Sequence, residues 1–287
     1  MCGWSAATAK VSVLLSNYVK HEYAGTQNAS GDDQLELDID CDKAVFTAIR
    51  DSQVYNTAAS EETPVETPVG KGPYVIAFDP LDGSSIIDAN FSVGSIYGLW
   101  EGTSIIGRTG RQQVASAVAL YGPRTTMCIA LPFSSKVLEV TLVQNKTQWE
   151  LSRPFIQLQS NGKIFAPGNL RASNDNIRYQ KLINHWMKER YTLRYTGGMV
   201  PDVYHIFVKS KGIFTNISSE KAKAKLRLAY EVAPLGLIVE CANGKTSVEN
   251  LKNTSVLDLT IEHLDQRCGV AFGSTHEVDT FTKFMFD

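Results

Sequence analysis

The run Tyr74-Val75-Ile76-Ala77-Phe78-Asp79-Pro80-Leu81-Asp82-Gly83-Ser84 constrains the fold of this chain more than any other stretch. Its continuous apolar start predicts a buried strand, and that strand runs out onto two carboxylates three positions apart. A bare carboxylate at the mouth of an apolar strand is costly to desolvate. Two held close together there need a cation or a shared proton. Pro80 fixes the backbone between them, Leu81 offers a carbonyl oxygen, and Gly83-Ser84-Ser85 presents N–H groups that could cradle a phosphate. Hard oxygen ligands with no histidine or thiolate among them suit Mg²⁺ or Mn²⁺ better than zinc. The spacing therefore points to metal-assisted phosphoester hydrolysis.

The rest of the chain supplies strands and helices around this run. Helical spacing of apolar residues predicts helices over residues 4–22 and 38–52, separated by a polar, glycine-containing loop at 24–33. Residues 60–72, rich in proline, glycine and glutamate, read as a mobile loop. Strands are expected at 95–100, 114–121, 125–131, 137–143 and 148–151, with Gly122-Pro123 turning one hairpin. A further strand at 162–168 leads into an amphipathic helix at 174–191 with a polar start suited to capping. A helix is expected to begin at 224–228 and break at Pro234, and a strand and helix close the chain at 268–272 and 277–286. The class is α plus β in stacked layers, with a boundary near Ser160. That gives an N-terminal part, residues 1–160, for metal and phosphate, and a C-terminal part, 161–287, for the sugar and a second phosphate.

At 287 residues, with 43% hydrophobic and 20% charged residues, the chain can bury a large core. A net charge of −2 argues against a general nucleic-acid or membrane-surface binder. No apolar stretch approaches the roughly 18 residues of a membrane span, and residues 1–10 lack a secretory pattern. Five scattered cysteines (Cys2, Cys41, Cys128, Cys241, Cys268) read as reduced thiols. A cytoplasmic location is expected, or a plastid one if an upstream targeting segment was removed. The five histidines are dispersed and read as surface or packing residues. Acidic side chains crowd one section: Asp32, Asp33, Asp38, Asp40, Asp42, Glu61, Glu62 and Asp88, beside Asp79 and Asp82. Most such clusters are solvated surface. Asp88 reads equally as a loop cap or a site residue, and Asp202, after Pro201, reads as a helix cap.

Several motifs carry a resemblance. Ser60-Glu61-Glu62, the run 78–85, Arg194-Tyr195-Thr196-Gly197-Gly198-Met199-Val200-Pro201-Asp202 and Lys225-Leu226-Arg227-Leu228-Ala229-Tyr230-Glu231 occur in the order found in fructose-1,6-bisphosphatases. Together they cover nearly the whole chain. The central aspartate-proline-x-aspartate-glycine signature alone is also similar to that of inositol monophosphatases. Tyr121-Gly122-Pro123-Arg124-Thr125-Thr126 and Pro167-Gly168-Asn169-Leu170-Arg171-Ala172 look most like the branch acting on the seven-carbon sugar sedoheptulose 1,7-bisphosphate. The resemblance implies an α+β fold of α-β-α-β-α layers and release of the 1-phosphate by in-line attack of water, with no phosphoenzyme. It implies a homodimer or homotetramer with a small sugar bisphosphate as its partner molecule.

Carried over residue by residue, the resemblance makes Glu61, Asp79, Asp82, Glu231 and the carbonyl of Leu81 the ligands of two or more Mg²⁺ ions, with Mn²⁺ as a substitute. Glu62 and Asp38 would position or deprotonate the attacking water, supported by Asp33. Gly83, Ser84 and Ser85 would hold the phosphate that is cleaved. Arg194, Tyr195, Lys225 and Arg171 would hold the second phosphate and the sugar, together with Asn169, Gly197, Gly198, Met199, Asn216 and Arg227. In that family the arginine at the Arg194 position can reach across from a neighbouring subunit.

The departures from fructose bisphosphatases fall at the end of the pocket for the non-reacting phosphate. Asn216 and Arg171 replace tyrosines, and Gly198 replaces a serine. Smaller or more flexible side chains there make room for one more carbon, roughly 1.5 Å, while the Arg171 guanidinium still suits phosphate. The chain begins near its first helix, so AMP inhibition is not expected. Plastid relatives carry a cysteine pair where this chain has Cys2 and Ala7, so that disulfide switch is not expected either. An inositol monophosphatase-like enzyme or a non-catalytic sugar-phosphate sensor are the competing readings. Two cationic subsites argue against the first and an intact Glu62 against the second.

Overall fold

The apolar run at 74–78 belongs to a longer strand that passes through the interior of the largest sheet. A computed structural model describes residues 3–19, 23–27, 33–143 and 148–287. Its first strands, β1 (Tyr23–Gln27) and β2 (Asp33–Leu35), form a separate antiparallel ladder. The large sheet comprises β3 (Tyr55–Ser60), β4 (Thr67–Pro68), β5 (Tyr74–Asp82), β6 (Val93–Glu101), β7 (Gln113–Tyr121), β8 (Thr125–Leu131), β9 (Lys136–Leu142) and β10 (Trp149–Ile156). Its spatial order is β10-β9-β8-β7-β6-β5-β3-β4. Every neighbouring pair is antiparallel except β3 with β5, which run parallel. A five-stranded sheet follows: β11 (Ile164–Pro167), β12 (Thr192–Leu193), β13 (Ile213–Asn216), β14 (Lys245–Val248) and β15 (Val270–Gly273), ordered β12-β11-β13-β15-β14.

Strand geometry explains the apolar run. Successive side chains of β5 point to opposite faces, and both faces are covered. Ile76 and Phe78 join a core with Val11 of helix α1 (Gly3–Ser16) and with Val45 and Ile49 of α2 (Glu36–Ser52). The Phe46 ring meets the Phe78 ring edge-on, with centroids 5.2 Å apart. Val75 and Ala77 point the other way, into a core that also contains the central helices. Of the remaining helices, α3 spans Ile177–Lys188, α4 Met199–Lys209, α5 Ala233–Cys241 and α6 Thr275–Phe286. Val200, Val203, Leu235 and Ile238 of α4 and α5 share the central core with Val75, Ala77 and Ile96 of the large sheet and with Phe214 and Phe272 of the smaller one. Leu182 and Trp186 of α3 and Phe281 of α6 cover the outer face of that smaller sheet, against Phe165, Ile213 and Ala271. The layers are therefore α-β-α-β-α, the α+β class expected from sequence.

Several local expectations are corrected. Within the expected loop at 24–33 the described residues, 24–27 and 33, are strand, with Gln27 paired to Asp33. That ladder rests on backbone bonds, which a polar sequence does not advertise. Residues 60–72 are stitched down and not left as a free loop. Thr67 and Pro68 pair with β3, and the Glu66 carboxylate accepts the Ile105 N–H at 2.7 Å and the Ser104 hydroxyl at 3.0 Å. The helical segment starts only at Leu228, the last residue of the expected 224–228 span. Residues 224–227 are not helical, Arg227 is bridged to Arg267, and a π-helical turn at Leu228–Val232 then leads into α5. Pro234 lies in the first turn of α5, where its missing N–H costs nothing, so it opens a helix and does not break one. Asp202 is not the cap of α4. Gly198 holds that position, and Asp202 lies within the first turn. The Asn176 carboxamide does cap α3, accepting the Tyr179 N–H at 3.1 Å.

The approach of α4 to β6 depends on one absent side chain. A Cβ on Gly94 would lie 2.2 Å from Val200 Cγ1 and 2.6 Å from the Ala119 carbonyl oxygen. Gly94→Ala is therefore expected to destabilise the protein by about 1–3 kcal/mol, the usual cost of overpacking a filled core, and urea denaturation with a fluorescence readout measures it.

Candidate active site

The parallel pairing of β3 with β5 sets the first two acidic groups side by side. Ser60 lies opposite Phe78, and the Glu61 N–H donates to the Phe78 carbonyl at 3.1 Å. Glu61 and Asp79 therefore leave adjacent strands at the same end. Beyond Asp79 the register of β5 against β6 shifts before Asp82, the signature of a bulge, which re-aims side chains. Residues three apart on a regular strand face opposite sides; with the shift, the Asp82 charge acts on Asp79. Glu231 comes from the π-helical turn, a geometry found often at functional sites. Ligand oxygens of Glu61, Asp79 and Glu231 all lie within 4.8 Å of one another.

Burial, followed by the neighbouring charges of Glu61, Asp82 and Glu231, raises the Asp79 carboxyl well above its ordinary range. Burial and the Glu61 charge do the same to Glu231. Burial lifts Asp82 to about 6, although the N–H groups of Val200 and Met199 hold it down. Such a group of carboxylates cannot all ionise without positive charge among them. One cation is already present: Arg227, only 4% exposed, pairs its guanidinium with Glu61 and reaches Asp265 at 3.3 Å. The Arg227 N–H also donates to Glu231 at 2.5 Å. A cluster of carboxylate oxygens without nitrogen or sulfur donors fits Mg²⁺ or Mn²⁺. Leu81 is buried between its two aspartates, with its N–H donating to Asp79 Oδ1 at 2.9 Å.

A second group adjoins the first. Asp38, in the first turn of α2, accepts the Leu35 N–H at 3.0 Å. Burial pushes its carboxyl up to about 7, with the Glu62 charge adding to the rise, while bonds from Leu35 and the Ser84 hydroxyl oppose it. Asp38, Glu62 and Ser84 are thus brought together from α2, the end of β3 and the turn after β5. Glu62 is half-buried. Its turn is held by residues that sequence reasoning passed over: Ser60 Oγ accepts the Thr63 N–H at 2.8 Å, and the Thr63 hydroxyl donates to Asp42 at 2.9 Å. Asp33 opens β2, but its side chain lies outside the described residues, as do Asp32 and Cys2. Asp88 is exposed on the turn that follows.

Gly83 has φ +89° and opens a 3₁₀ turn at Ser84–Ile86. Only glycine adopts that backbone readily, and its free face lies 3.5 Å, measured from the Cβ it lacks, from the Cα of Gly198. Ser84 is half-buried and Ser85 exposed. The 194–199 segment thereby closes over the signature turn. Asp82 Oδ2 accepts the Val200 N–H at 2.6 Å, so a candidate metal ligand from β5 also satisfies the first turn of α4.

The residues expected to hold the sugar and second phosphate are placed unevenly. Arg171, Arg194, Tyr195, Gly197 and Lys225 are exposed, whereas Gly198 and Met199 are buried. Arg194 anchors through its main-chain N–H to the Phe165 carbonyl at 2.9 Å. The Asn169 carboxamide is buried and donates to the carbonyls of Ile217 at 2.9 Å and Ala222 at 3.0 Å, so it braces the 217–222 loop. Asn216 lies over Gly168, with its amide nitrogen 3.3 Å from where a Cβ would stand. Arg227 is engaged by the metal-side carboxylates.

Comparison with known proteins now bears on this arrangement. Residues 15–154 match the family model described as the N-terminal domain of fructose-1-6-bisphosphatase, and residues 158–286 match its C-terminal domain. The chain belongs to the fructose-1,6-bisphosphatase family. Within that family it is 50% identical over 267 residues to the chloroplastic sedoheptulose-1,7-bisphosphatase of Spinacia oleracea, covering 91% of this chain and 68% of that one. A crystal structure from Toxoplasma gondii, provisionally named a sedoheptulose-1,7 bisphosphatase, superposes with a TM-score of 0.91 at 37% identity, over 98% of this chain and 91% of that one. The holo form of Leishmania major fructose-1,6-bisphosphatase gives the same TM-score at 29% identity, over 98% and 92% of the two chains. The chain spans about two thirds of the length of the plant relative. Phosphatases of this family hydrolyse phosphate monoesters, and the carboxylate cluster described above lies on the family's layered fold.

Asp38, Asp79, Asp82 and Glu231 each hold a proton more tightly folded than unfolded. The stability they contribute is complete below the unfolded carboxylate range, near pH 4, and is lost as pH rises through about 6 to 7 and beyond. A divalent cation relieves the repulsion that remains at higher pH. Added Mg²⁺ is therefore expected to raise Tm more near pH 8 than near pH 6, and calorimetric scans at the two pH values measure the difference.

Proposed function

We propose that this chain is a Mg²⁺-dependent phosphatase that converts sedoheptulose 1,7-bisphosphate to sedoheptulose 7-phosphate and inorganic phosphate. The observation that carries the reading is the juxtaposition of the half-buried Glu61 and buried Asp79 and Glu231 with Asp38, Glu62 and the Gly83–Ser84 turn. The likeness to the spinach relative supports the seven-carbon substrate. Residues 1–160 supply the phosphate turn and most of the acidic groups, and residues 161–287 supply the sugar side together with Glu231.

Two or more Mg²⁺ ions, replaceable by Mn²⁺, would be held by Glu61, Asp79, Asp82, Glu231 and the Leu81 carbonyl, and would supply positive charge against the phosphate oxygens. Gly83, Ser84 and Ser85 hold the reacting phosphate through their N–H and hydroxyl groups. Glu62 and Asp38 orient a water in line with the bond to the sugar oxygen and accept its proton as the new P–O bond forms. The old P–O bond breaks, and the sugar oxygen leaves and is protonated, so the products are an alcohol and inorganic phosphate. The exposed Arg171, Arg194, Tyr195 and Lys225 take the second phosphate and the sugar chain, with Asn216 and Gly198 leaving room at that end. A homodimer or homotetramer, in which Arg194 serves a neighbouring subunit, completes the reading.

The fructose bisphosphatases on the same fold keep a six-carbon substrate in view, since the reacting end of the site does not depend on chain length. Phosphate release measured on both bisphosphates and on an inositol monophosphate decides among these. The seven-carbon bisphosphate is expected to give the highest kcat/KM, and an equal or higher value on fructose 1,6-bisphosphate would overturn the preference. Glu62→Gln is expected to lower kcat by about 10²–10⁴-fold with KM little changed.

A further inference from the structure

Asp202 is a buried carboxylate that the reaction as described does not use. It is 2% exposed and lies in the first turn of α4. Its side chain turns back past the Gly198 cap: Oδ1 accepts the Thr196 N–H at 2.9 Å, and the Gly197 N–H and the Thr196 hydroxyl also face it. Thr196 closes the same turn from the other side, its hydroxyl lying 3.3 Å from both the Gly198 N–H and the Gly198 carbonyl. Gly197 takes φ +102°, a conformation that a side chain would resist. One carboxylate thus answers several donors of a single turn. Burying that charge is expensive, more so because the Asp82 charge acts on it unfavourably.

The same helix end donates the Val200 N–H to Asp82 at 2.6 Å. One turn of α4 is thus bonded on one side to a candidate metal ligand and on the other to the segment directly following Arg194 and Tyr195. Ordinary capping does not explain this. A capping side chain bonds within the helix's own first turn, whereas the Asp202 bond lands two residues before the cap.

We propose that Asp202 is a positioning residue, holding the 196–198 turn so that Tyr195 meets the sugar bisphosphate in fixed register with Asp82 while Arg194 is aimed at a neighbouring subunit. This rests on the proposed function for its substrate, but the clamp itself can be tested without turnover. Asp202→Ala removes every acceptor, whereas Asp202→Asn keeps one oxygen for the Thr196 N–H. In hydrogen-exchange mass spectrometry of the full chain, Asp202→Ala is expected to speed exchange of the peptide covering 194–198 by about tenfold or more, with the sheets unchanged and Asp202→Asn close to the parent. In steady-state assays with saturating Mg²⁺, Asp202→Ala is expected to raise KM for the bisphosphate by about tenfold, with kcat and the Mg²⁺ midpoint changing by less than about threefold, and Asp202→Asn is expected to recover most of the KM. Unchanged exchange at 194–198 overturns the clamp. Faster exchange with an unchanged KM overturns the positioning role, as does a loss confined to kcat. If the unaltered protein hydrolyses no bisphosphate, the functional reading fails on its own, and binding of inorganic phosphate by titration calorimetry, expected to weaken in Asp202→Ala but not in Asp202→Asn, then decides the positioning.

Discussion

Much of this molecule follows from the register of one parallel strand pair. Opposing Ser60 to Phe78 makes the two chains leave the sheet together, so Glu61 and Asp79 emerge as neighbours and not at opposite ends of their strands. An antiparallel pairing of these strands would have separated them by the length of a strand. The irregular backbone near the site answers to that crowding. The shifted register before Asp82 and the π-helical turn carrying Glu231 each spend regular hydrogen bonding to bring another carboxylate inward. Arg227 is drawn into the interior by the resulting negative charge. A buried guanidinium would be costly on its own, but here it answers Glu61 and Asp265 through its side chain and Glu231 through its N–H.

The sequence made the large sheet and the centre of the site legible, because both are written locally. Alternating faces of β5 require apolar residues at every position from 75 to 78, and the Gly122-Pro123 turn forces the hairpin of β7 and β8. Asp79, Asp82 and Gly83 are legible together because one short run contains the strand end, both carboxylates and the left-handed turn. What stayed hidden depends on partners far along the chain. Arg227 finds Asp265 across 38 positions and Glu61 across 166. The ladder of β1 and β2 uses backbone groups that no side-chain pattern reveals. The helix expected from 224 begins only at Leu228, because local propensity before it yields to the bridge of Arg227 with Arg267 and to burial of Leu226. Asp202 looked like a cap from its place after Pro201, and only the folded turn reveals that its bonds run backward.

Placement of the sugar-side residues has a different texture from that of the acidic cluster. Asp79 and Glu231 are buried and Glu61 and Asp82 half-buried, while Arg171, Arg194, Tyr195 and Lys225 are exposed. Rigid elements hold side chains more precisely than turns do, and binding groups lie disproportionately on loops. Asn216 ends β13 and Arg171 lies in a 3₁₀ turn at Leu170–Asn174, so a change at either leaves β3 and β5 untouched.

The central helices α4 and α5 have apolar neighbours in both sheets, and one core joins the three inner layers. They act as a shared wall between two rooms. A chain cut near residue 160 would leave the large sheet with one face stripped of its cover, since both helices lie beyond the cut. The second piece would keep the wall but expose the side of it that faces β5 and β6. Although two family models divide the sequence almost at that point, one buried core contains residues from both sides of the division.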